Sequence, residues 1–218
     1  MVTLYVGPDR NAFHVHLRLL CAASPVFKAA FSGNFKESTE RSMDLPEDDH
    51  EAINRLVQWL YSERYQLPRI GDESKNRKCF DALARLNTLG EKYQITGLKN
   101  NVIRKLFRMR RDFLFIPGPT LVAYVYGNTS QGSSFRKFLV DCYSWGVASV
   151  WFTKVGTQSL LADIPDFAAD LAIALVQMVE DPTKGNPFDG DNSKYYEILE
   201  SEDSGDKNDR SAKRARVA

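Results

Sequence analysis

The sequence predicts a fold that combines a few short strands with many helices. Near the N-terminus, two runs rich in β-branched and aromatic residues flank a turn, and this arrangement predicts a hairpin. Apolar residues then recur at helical spacing through most of the chain, which predicts a series of amphipathic helices. From Pro182 onward apolar residues become sparse, which predicts a disordered tail over residues 182–218.

The first elements are predicted from turn and capping chemistry. VTLYV at 2–6 and AFHVH at 12–16 predict the two strands, and the intervening GPDRN supplies the turn residues. Ser24 and Pro25 predict the start of a helix, because a serine hydroxyl can accept a free N–H and proline has no N–H to leave unpaired. A Gly-Asn pair at 33–34 predicts the end of that helix.

The later elements are predicted from apolar periodicity. Residues 43–45 predict a third strand, and Asp48 and Glu51 stand at capping-box spacing before a helix. The polar, Pro- and Gly-containing stretch at 67–78 predicts a loop. The apolar residues expected to share helix faces are Ile53, Leu56, Val57, Leu60 and Tyr61; Phe80, Leu83, Leu86 and Leu89; Leu98, Val102 and Leu106; Phe135, Phe138, Leu139, Cys142 and Tyr143; and Ala168, Leu171, Ala172, Leu175, Val176 and Val179.

Composition and charge exclude two classes of partner. The chain has 29 Lys and Arg residues against 28 Asp and Glu residues, so a net charge of +1 gives no overall field towards nucleic acid. No apolar run reaches the roughly 20 residues that a membrane-spanning helix needs. The N-terminus also lacks the basic start and apolar segment of a signal peptide. We therefore expect no direct contact with nucleic acid or with a membrane.

The cysteines and a basic run near the C-terminus bear on location. The chain has three cysteines, Cys21, Cys79 and Cys142. Their odd number and wide spacing predict no disulfide framework and favour a reducing compartment, the cytoplasm or the nucleus. The choice between the two stays open, because the basic run of Lys213, Arg214 and Arg216 is too short to identify a nuclear signal.

A metal site is the first chemical alternative. His14 and His16 lie two apart on a predicted strand, so their side chains share a face, and two such histidines can bind zinc. A zinc site needs further ligands, however. Cys21 falls on an apolar helix face with Leu17 and Leu20, where a free cysteine behaves as a small apolar residue. We therefore expect structural histidines, with no metal and no other cofactor.

Catalytic alternatives find little support. No nucleophile motif surrounds any cysteine, and the sequence has neither a Gly-rich phosphate loop nor a GxSxG elbow. Glu47, Asp48 and Asp49 could form a carboxylate pair, but they stand where a helix N-terminus attracts acidic residues. We therefore expect no enzyme activity. A solvated helix face, rather than a nucleic-acid contact, is expected for the basic residues Arg104, Lys105, Arg108, Arg110 and Arg111.

Several segments, taken together, resemble the BTB/POZ domain. They are FHVH at 13–16, LCAASPVF at 20–27, FKES at 35–38, MDL at 43–45, INRLVQWLYSERY at 53–65 and LARLNTLGEKYQITGLK at 83–99. The resemblance covers residues 1–106 and implies an α+β fold, with a small mixed sheet flanked by helical hairpins and a turn at Glu-Ser. It implies that His16, Ser24 and Phe27 hold the core and that the activity is protein–protein binding. Residues 107–181 resemble the helical C-terminal extension of fungal BTB proteins.

The resemblance also implies a partner. Cullin-docking BTB members carry a hydrophobic-x-Glu signature after the second helix, and Phe35, Lys36 and Glu37 occupy that place. An exposed aromatic ring beside a carboxylate would supply both affinity and orientation. The alternative is that Phe35 packs inward and Glu37 is ordinary surface. The first hypothesis is therefore a protein-interaction module that acts as a substrate adaptor of a cullin-based ubiquitin ligase, with an unknown target.

A self-associating nuclear scaffold in transcription or chromatin regulation is the second hypothesis, motivated by the basic tail. The exchanged-strand dimer of the family uses a helix and a strand before the hairpin, and this sequence begins at the hairpin. That dimer is therefore not expected unless the sequence is truncated, and homodimerisation stays open. Met1 and Leu17 stand where repressor-type members have an Asp and Arg pair, so a co-repressor pocket is not expected.

Overall fold

The computed structural model describes residues 1–153 and 158–199. The strands are β1 (Val2–Val6), β2 (Asn11–Val15) and β3 (Ser42–Leu45). The α-helices are α1 (Leu17–Ala23), α2 (Pro25–Ser32), α3 (Lys36–Glu40), α4 (His50–Ser62), α5 (Glu73–Lys92), α6 (Thr96–Phe113), α7 (Pro119–Asn128), α8 (Ser134–Gly146), α9 (Ser149–Phe152), α10 (Gln158–Asp163) and α11 (Pro165–Glu180). A 3-10 turn follows at Ser193–Tyr195. In the two described ranges, every helix is too short or too polar to cross a membrane.

The three strands form one mixed sheet with β1 in the centre. β2 pairs with β1 in the antiparallel sense, with Val2 opposite Val15, and β3 pairs with β1 in the parallel sense. Alternate residues of β1 are buried and half-buried, because successive side chains of a strand point to opposite faces. Gly7 begins the turn with a φ of +72°, a conformation that glycine adopts without steric cost. The predicted hairpin and the α+β class are confirmed.

Ser24 starts α2 as predicted and also connects it to a distant helix. Its hydroxyl oxygen accepts the backbone N–H of Phe27 at 3.1 Å, which is the capping bond. The same hydroxyl donates to the carbonyl of Tyr93 at 2.6 Å, at the end of α5. The ring of Phe27 stacks on the ring of Tyr93 with 4.4 Å between centroids. One fully buried serine therefore holds α2 and α5 together.

The predicted capping box before α4 is wrong by one residue. The N-cap is Asp49, whose carboxylate accepts the N–H of Ala52 at 2.8 Å. Asp48 is buried instead, and it accepts from the Lys92 ammonium at 2.8 Å and the Tyr93 hydroxyl at 2.5 Å. Adjacent aspartates have the same capping chemistry, so the choice between them is made by the partners that α5 presents.

The predicted loop at 67–78 is wrong over its second half. α5 already begins at Glu73, because Asp72 acts as its N-cap and accepts the N–H of Lys75 at 2.9 Å. Asn76 is buried and exchanges hydrogen bonds with the backbone of Gly71, at 3.1 and 3.2 Å. The first turns of α5 are polar and mostly exposed, so they lack the apolar periodicity from which a helix is predicted.

The predicted boundary between residues 106 and 107 falls inside α6. This helix continues to Phe113, and both Leu106 and Phe107 are buried. The ring of Phe107 contacts Phe138 of α8 at 5.5 Å between centroids. The N-terminal half and the helical extension therefore share one apolar core, and α6 belongs to both.

The predicted disordered tail is wrong for residues 182–199. The buried rings of Phe188 and Tyr195 contact Phe107, with centroids 5.1 and 4.6 Å apart. The ammonium of Lys99 pairs with the carboxylate of Glu197. The two aromatic side chains contribute most of the apolar contact of this polar segment, since a buried aromatic removes a large apolar area from water. Residues 200–218, including the basic run, lie outside the described residues.

The predicted apolar stripe of α11 contains only one buried residue, Leu171. The side chains that face the core are Phe167 and Leu171, with Ala174 and Met178 half-buried. The residues of the predicted stripe that are exposed instead are Ala172, Leu175, Val176 and Val179. Because α11 is apolar on nearly every side, its periodicity does not identify the buried face. The α8 stripe, by contrast, is confirmed, and all five of its residues are buried.

Three buried tyrosines donate their hydroxyl groups to carboxylates of other elements, and they predict alkaline sensitivity. The pairs are Tyr93–Asp48, Tyr126–Asp170 and Tyr195–Asp141. Burial, and then the hydrogen bond to the carboxylate, raises the pKa of each tyrosine above its ordinary value. In the unfolded chain the same groups ionise near pH 10, so the stability they contribute is present below about pH 10 and is lost as the pH rises further.

We therefore expect the free energy of unfolding to fall above about pH 10, by up to about 1.4 kcal/mol per pH unit for each tyrosine. Urea denaturation between pH 8.5 and 11 measures this slope. The Tyr126→Phe variant is expected to show a shallower slope, because the ionisation of Tyr126 no longer contributes to it. An equal slope in wild type and variant would contradict the assignment.

Candidate protein-interaction site

The candidate site lies where α2 ends and α3 begins. Gly33 and Asn34 follow α2, and Phe35 is the N-cap residue of α3. The backbone carbonyl of Phe35 accepts the N–H groups of Ser38 and Thr39, at 3.1 and 3.3 Å. The turn expected at Glu-Ser is therefore a short helix, and it presents Phe35 and the residues after it at the surface.

Phe35 is exposed, as one of the two alternatives requires. Its side chain lies over Gly33, and 60% of the residue remains accessible to solvent. A Cβ atom at Gly33 would come within 2.7 Å of Cδ2 of the ring, so only glycine leaves room for the ring in this position. Inward packing of Phe35 is not what the structure shows. The local sequence instead holds an aromatic ring against backbone, with its other face in water.

Lys36 and Glu37 provide the charges beside the ring. The Lys36 ammonium lies 3.7 Å from the Glu40 carboxylate, and both side chains are exposed, so this pair contributes at most about 0.5 kcal/mol. Glu37 is half-buried, and its carboxylate has no ion pair or side-chain hydrogen bond to the part of the chain that the structure describes. An apolar ring with a nearby unpaired carboxylate can bind and orient a partner. Phe35 and Glu37 together provide neither a nucleophile nor an acid–base pair.

Two of the three residues expected to hold the core do so. Ser24 and Phe27 are fully buried, with the contacts described above. His16 is exposed instead: its Nδ1 lies 2.6 Å from the Tyr61 hydroxyl oxygen, which also accepts the His16 backbone N–H at 3.1 Å. It therefore connects the start of α1 to the end of α4 at the surface. The aromatic partner of His16 could not be identified from sequence spacing.

The histidines and cysteines do not converge on one site. His14 Nδ1 lies 3.1 Å from the Thr3 hydroxyl, whereas His16 contacts Tyr61. Within residues 1–153 and 158–199, no three His, Cys, Asp or Glu side chains are placed to hold a metal ion. Burial raises the pKa of all three cysteine thiols, so each stays protonated near neutral pH. Cys21 lines a cavity of about 750 Å³ between α1, α4 and the start of α6, apart from both histidines.

The basic cluster on α6 is only partly a solvated face. Arg110 is buried, and its guanidinium lies 5.1 Å from the Phe188 ring centroid. The half-buried Lys105 ammonium lies 3.6 Å from the Tyr65 ring centroid, and burial lowers its pKa. The exposed members are Arg104, Arg108 and Arg111. The expectation is therefore wrong for Arg110. Its spacing of four residues from Leu106 was the signal, since that spacing places it on the buried face.

Comparisons with known proteins agree with this geometry. Residues 2–108 match the model of the BTB/POZ domain family. Over 168 residues the chain is 21% identical to Armadillo BTB Arabidopsis protein 1 of Arabidopsis thaliana, an alignment that covers 75% of the chain and 20% of that relative. Over 52 residues it is 40% identical to Kelch-like ECH-associated protein 1A of Danio rerio, which covers 24% of the chain and 9% of that relative.

These alignments span a fifth or less of the length of either relative. The family match covers β1 to β3 and α1 to α5, together with the first part of α6. It contains the mixed three-stranded sheet, the Ser24 cap and the surface helix α3. Residues 2–108 of this chain are therefore a BTB/POZ domain.

Proposed function

We propose that the chain is a protein-interaction module that docks a cullin scaffold through the start of α3, as a substrate adaptor of a cullin-based ubiquitin ligase. BTB domains are a protein-interaction family. The observation that carries the proposal is the exposed ring of Phe35 beside the unpaired carboxylate of Glu37. These two residues match the hydrophobic-x-Glu signature that cullin-docking members of the family carry.

The geometry at α3 suits a small anchor point. Burying a fully exposed phenylalanine side chain is worth about 1.5–3 kcal/mol, and 60% of Phe35 is still accessible, so Phe35 can be the main contributor to such an interface. The contact of the ring with Gly33 restricts its positions before binding, which lowers the entropic cost of ordering it. Glu37 supplies charge for orientation and for the rate of association rather than for most of the affinity.

Phe35→Ala is expected to weaken binding to purified cullins by about 30-fold or more, the effect of losing a hot-spot side chain of about 2 kcal/mol. Glu37→Ala is expected to lower the association rate and to make it less dependent on salt concentration. The dissociation rate is expected to change less. Surface plasmon resonance on immobilised cullins measures both constants. Ile70→Ala, which removes an exposed aliphatic side chain from the segment between α4 and α5, is the matched control and is expected to bind like wild type.

Gly33→Ala tests the placement of the ring separately from its chemistry. Gly33 has a φ of −92°, which alanine adopts without strain, so the backbone can stay while the ring moves. We expect weaker cullin binding although Phe35 is still present. Equal binding by wild type and Phe35→Ala, or no cullin binding by wild type, would contradict the proposed role.

The remaining predictions concern the whole protein. The absence of catalysis, the fungal subtype, homodimerisation and the cytoplasmic or nuclear location stay predictions. The nuclear scaffold was motivated by Lys213, Arg214 and Arg216, which lie outside the described residues. Light scattering of the purified chain tests self-association, and a monomer at working concentration would count against the scaffold.

A further inference from the structure

The outward side of α11 is an apolar surface on a helix that is already packed on its other side. At about 100° per residue, the four residues that face the core fall within an arc of about 60°. Six exposed apolar side chains spread over an arc of about 160° on the opposite side. We call them the outer face of α11: Ala169, Ala172, Ile173, Leu175, Val176 and Val179.

No described residue covers the centre of this outer face. Val179 is 79% exposed, Val176 is 55% exposed and Ile173 is 58% exposed. α11 contacts α8, α10 and α7, and its buried side chains, Phe167 and Leu171, lie on the opposite side of the helix. Single exposed apolar residues are ordinary, whereas several adjacent ones on one helix indicate a surface that is covered by something else. The spacing of Ala169, Ala172, Val176 and Val179 is that of a helix that lies in a groove of a partner.

The charges at the two ends of the outer face select the occupant, whereas Lys137 and Lys194 line a cavity on the flank that Ile173 borders. Residues 158–181 contain the acidic residues Asp163, Asp166, Asp170, Glu180 and Asp181 and no Lys or Arg. Asp170 accepts from Tyr126, and Asp166 lies 3.9 Å from the Arg136 guanidinium. The exposed carboxylates therefore stand at the two ends of the face, Asp163 and Asp166 before it and Glu180 after it. A partner with basic groups at both ends of an apolar groove complements this pattern.

Other occupants fit the surface less well. In a second copy packed face to face, acidic ends would meet acidic ends in either orientation. An anionic membrane surface would repel the same carboxylates. The last part of the chain, SEDSGDKNDRSAKRARVA at 201–218, has almost no apolar side chains with which to cover the face.

We propose that the outer face of α11 docks into an apolar groove of another protein whose rim carries Lys or Arg side chains at both ends. This surface belongs to a different helix from Phe35, so the proposal stands whether or not a cullin binds α3. It gives the chain a second point of attachment, which is what a protein that joins two others requires.

Photo-crosslinking in the full chain tests the proposal. A photoreactive amino acid is placed at position 176, in cells that naturally express the protein, and a control is placed at the exposed position of Arg77 on α5. We expect an adduct with a different protein from position 176 and not from position 77. The crosslinked peptide of that protein is expected to contain apolar residues with Lys or Arg nearby.

Variants of the chain that carries the photoreactive amino acid test the apolar contribution and the charge contribution to docking separately. Val179→Ser is expected to lower the adduct yield about 10-fold, and Glu180→Lys about 3-fold or more. Glu73→Lys, an exposed charge reversal on α5, is expected to leave the yield unchanged. Val179 and Glu180 are exposed, so the thermal unfolding midpoint should stay that of wild type and separate lost docking from lost folding.

Four results would overturn the proposal. They are an adduct with a second copy of this chain, an adduct with another segment of the same chain, a yield that Val179→Ser or Glu180→Lys does not change, and no adduct above the control at position 77. Because the readout does not involve a cullin, failure of cullin binding through Phe35 would leave this result interpretable.

Discussion

Tyr195→Ala is expected to lower the free energy of unfolding by about 3–5 kcal/mol, the usual cost of truncating a buried aromatic side chain to alanine. Tyr195 is 1% exposed, and its ring packs on Phe107 while its hydroxyl donates to Asp141. The substitution leaves a cavity beside Phe107, the residue of α6 that also contacts Phe138 of the helical extension. Urea denaturation followed by circular dichroism measures the change.

Ile198→Ala is the matched control, because this residue is 92% exposed and lies three positions later in the same segment. Its effect is expected to stay within about 0.5 kcal/mol. Tyr195→Phe keeps the ring and removes the hydrogen bond to Asp141, so it is expected to cost less than Tyr195→Ala. If Tyr195→Ala unfolded like the control, residues 182–199 would not belong to the core.

Ser24→Ala is expected to lower the free energy of unfolding by about 2–4 kcal/mol, more than the loss of an exposed helix cap. The N-cap bond to Phe27 contributes about 1 kcal/mol, and the buried carbonyl of Tyr93 would lose its donor, which costs about 1–3 kcal/mol more. Alanine has nearly the same volume, so the change isolates the hydroxyl. The measurement is again the urea midpoint.

Ser32→Ala serves as the control for that variant. Ser32 is exposed at the last position of α2, so its replacement should change the stability only slightly. A loss below about 1 kcal/mol for Ser24→Ala would show that the hydroxyl acts as a cap alone and that the bond to Tyr93 adds little.

The BTB domain could be predicted well because its signals are local. The hairpin follows from turn residues between two β-rich runs, and the start of α2 follows from a serine before a proline. The sequence left open whether Phe35 lies at the surface, since an aromatic side chain in a turn that contains glycine can point to the core or to solvent. Contact with the Gly33 backbone, a short-range feature, keeps the ring outside.

Several of the errors share one cause, which is that burial depends on partners distant in the chain. Asp48 and Asp49 have equal capping chemistry, and only Lys92 and Tyr93 distinguish them. Arg110 shares a helix face with Leu106, but the aromatic ring that accommodates its guanidinium comes from Phe188, far along the chain. The polar composition after Pro182 indicated few apolar contacts, but two aromatic rings attach that segment together with polar contacts of Glu197 to Lys99 and Asn100.

By itself, the sequence determined the order of strands and helices through α4 except for α3, which was expected to be a turn. It also determined the BTB/POZ resemblance and the signature at Phe35 and Glu37, because turns, caps and apolar spacing act over a few residues. The tertiary structure alone decided that α6 joins both halves into one core and that residues 182–199 close over it. It also decided which side of α11 faces water, because a helix that is apolar all round can bury any of its faces, and the surface of α8 selects one.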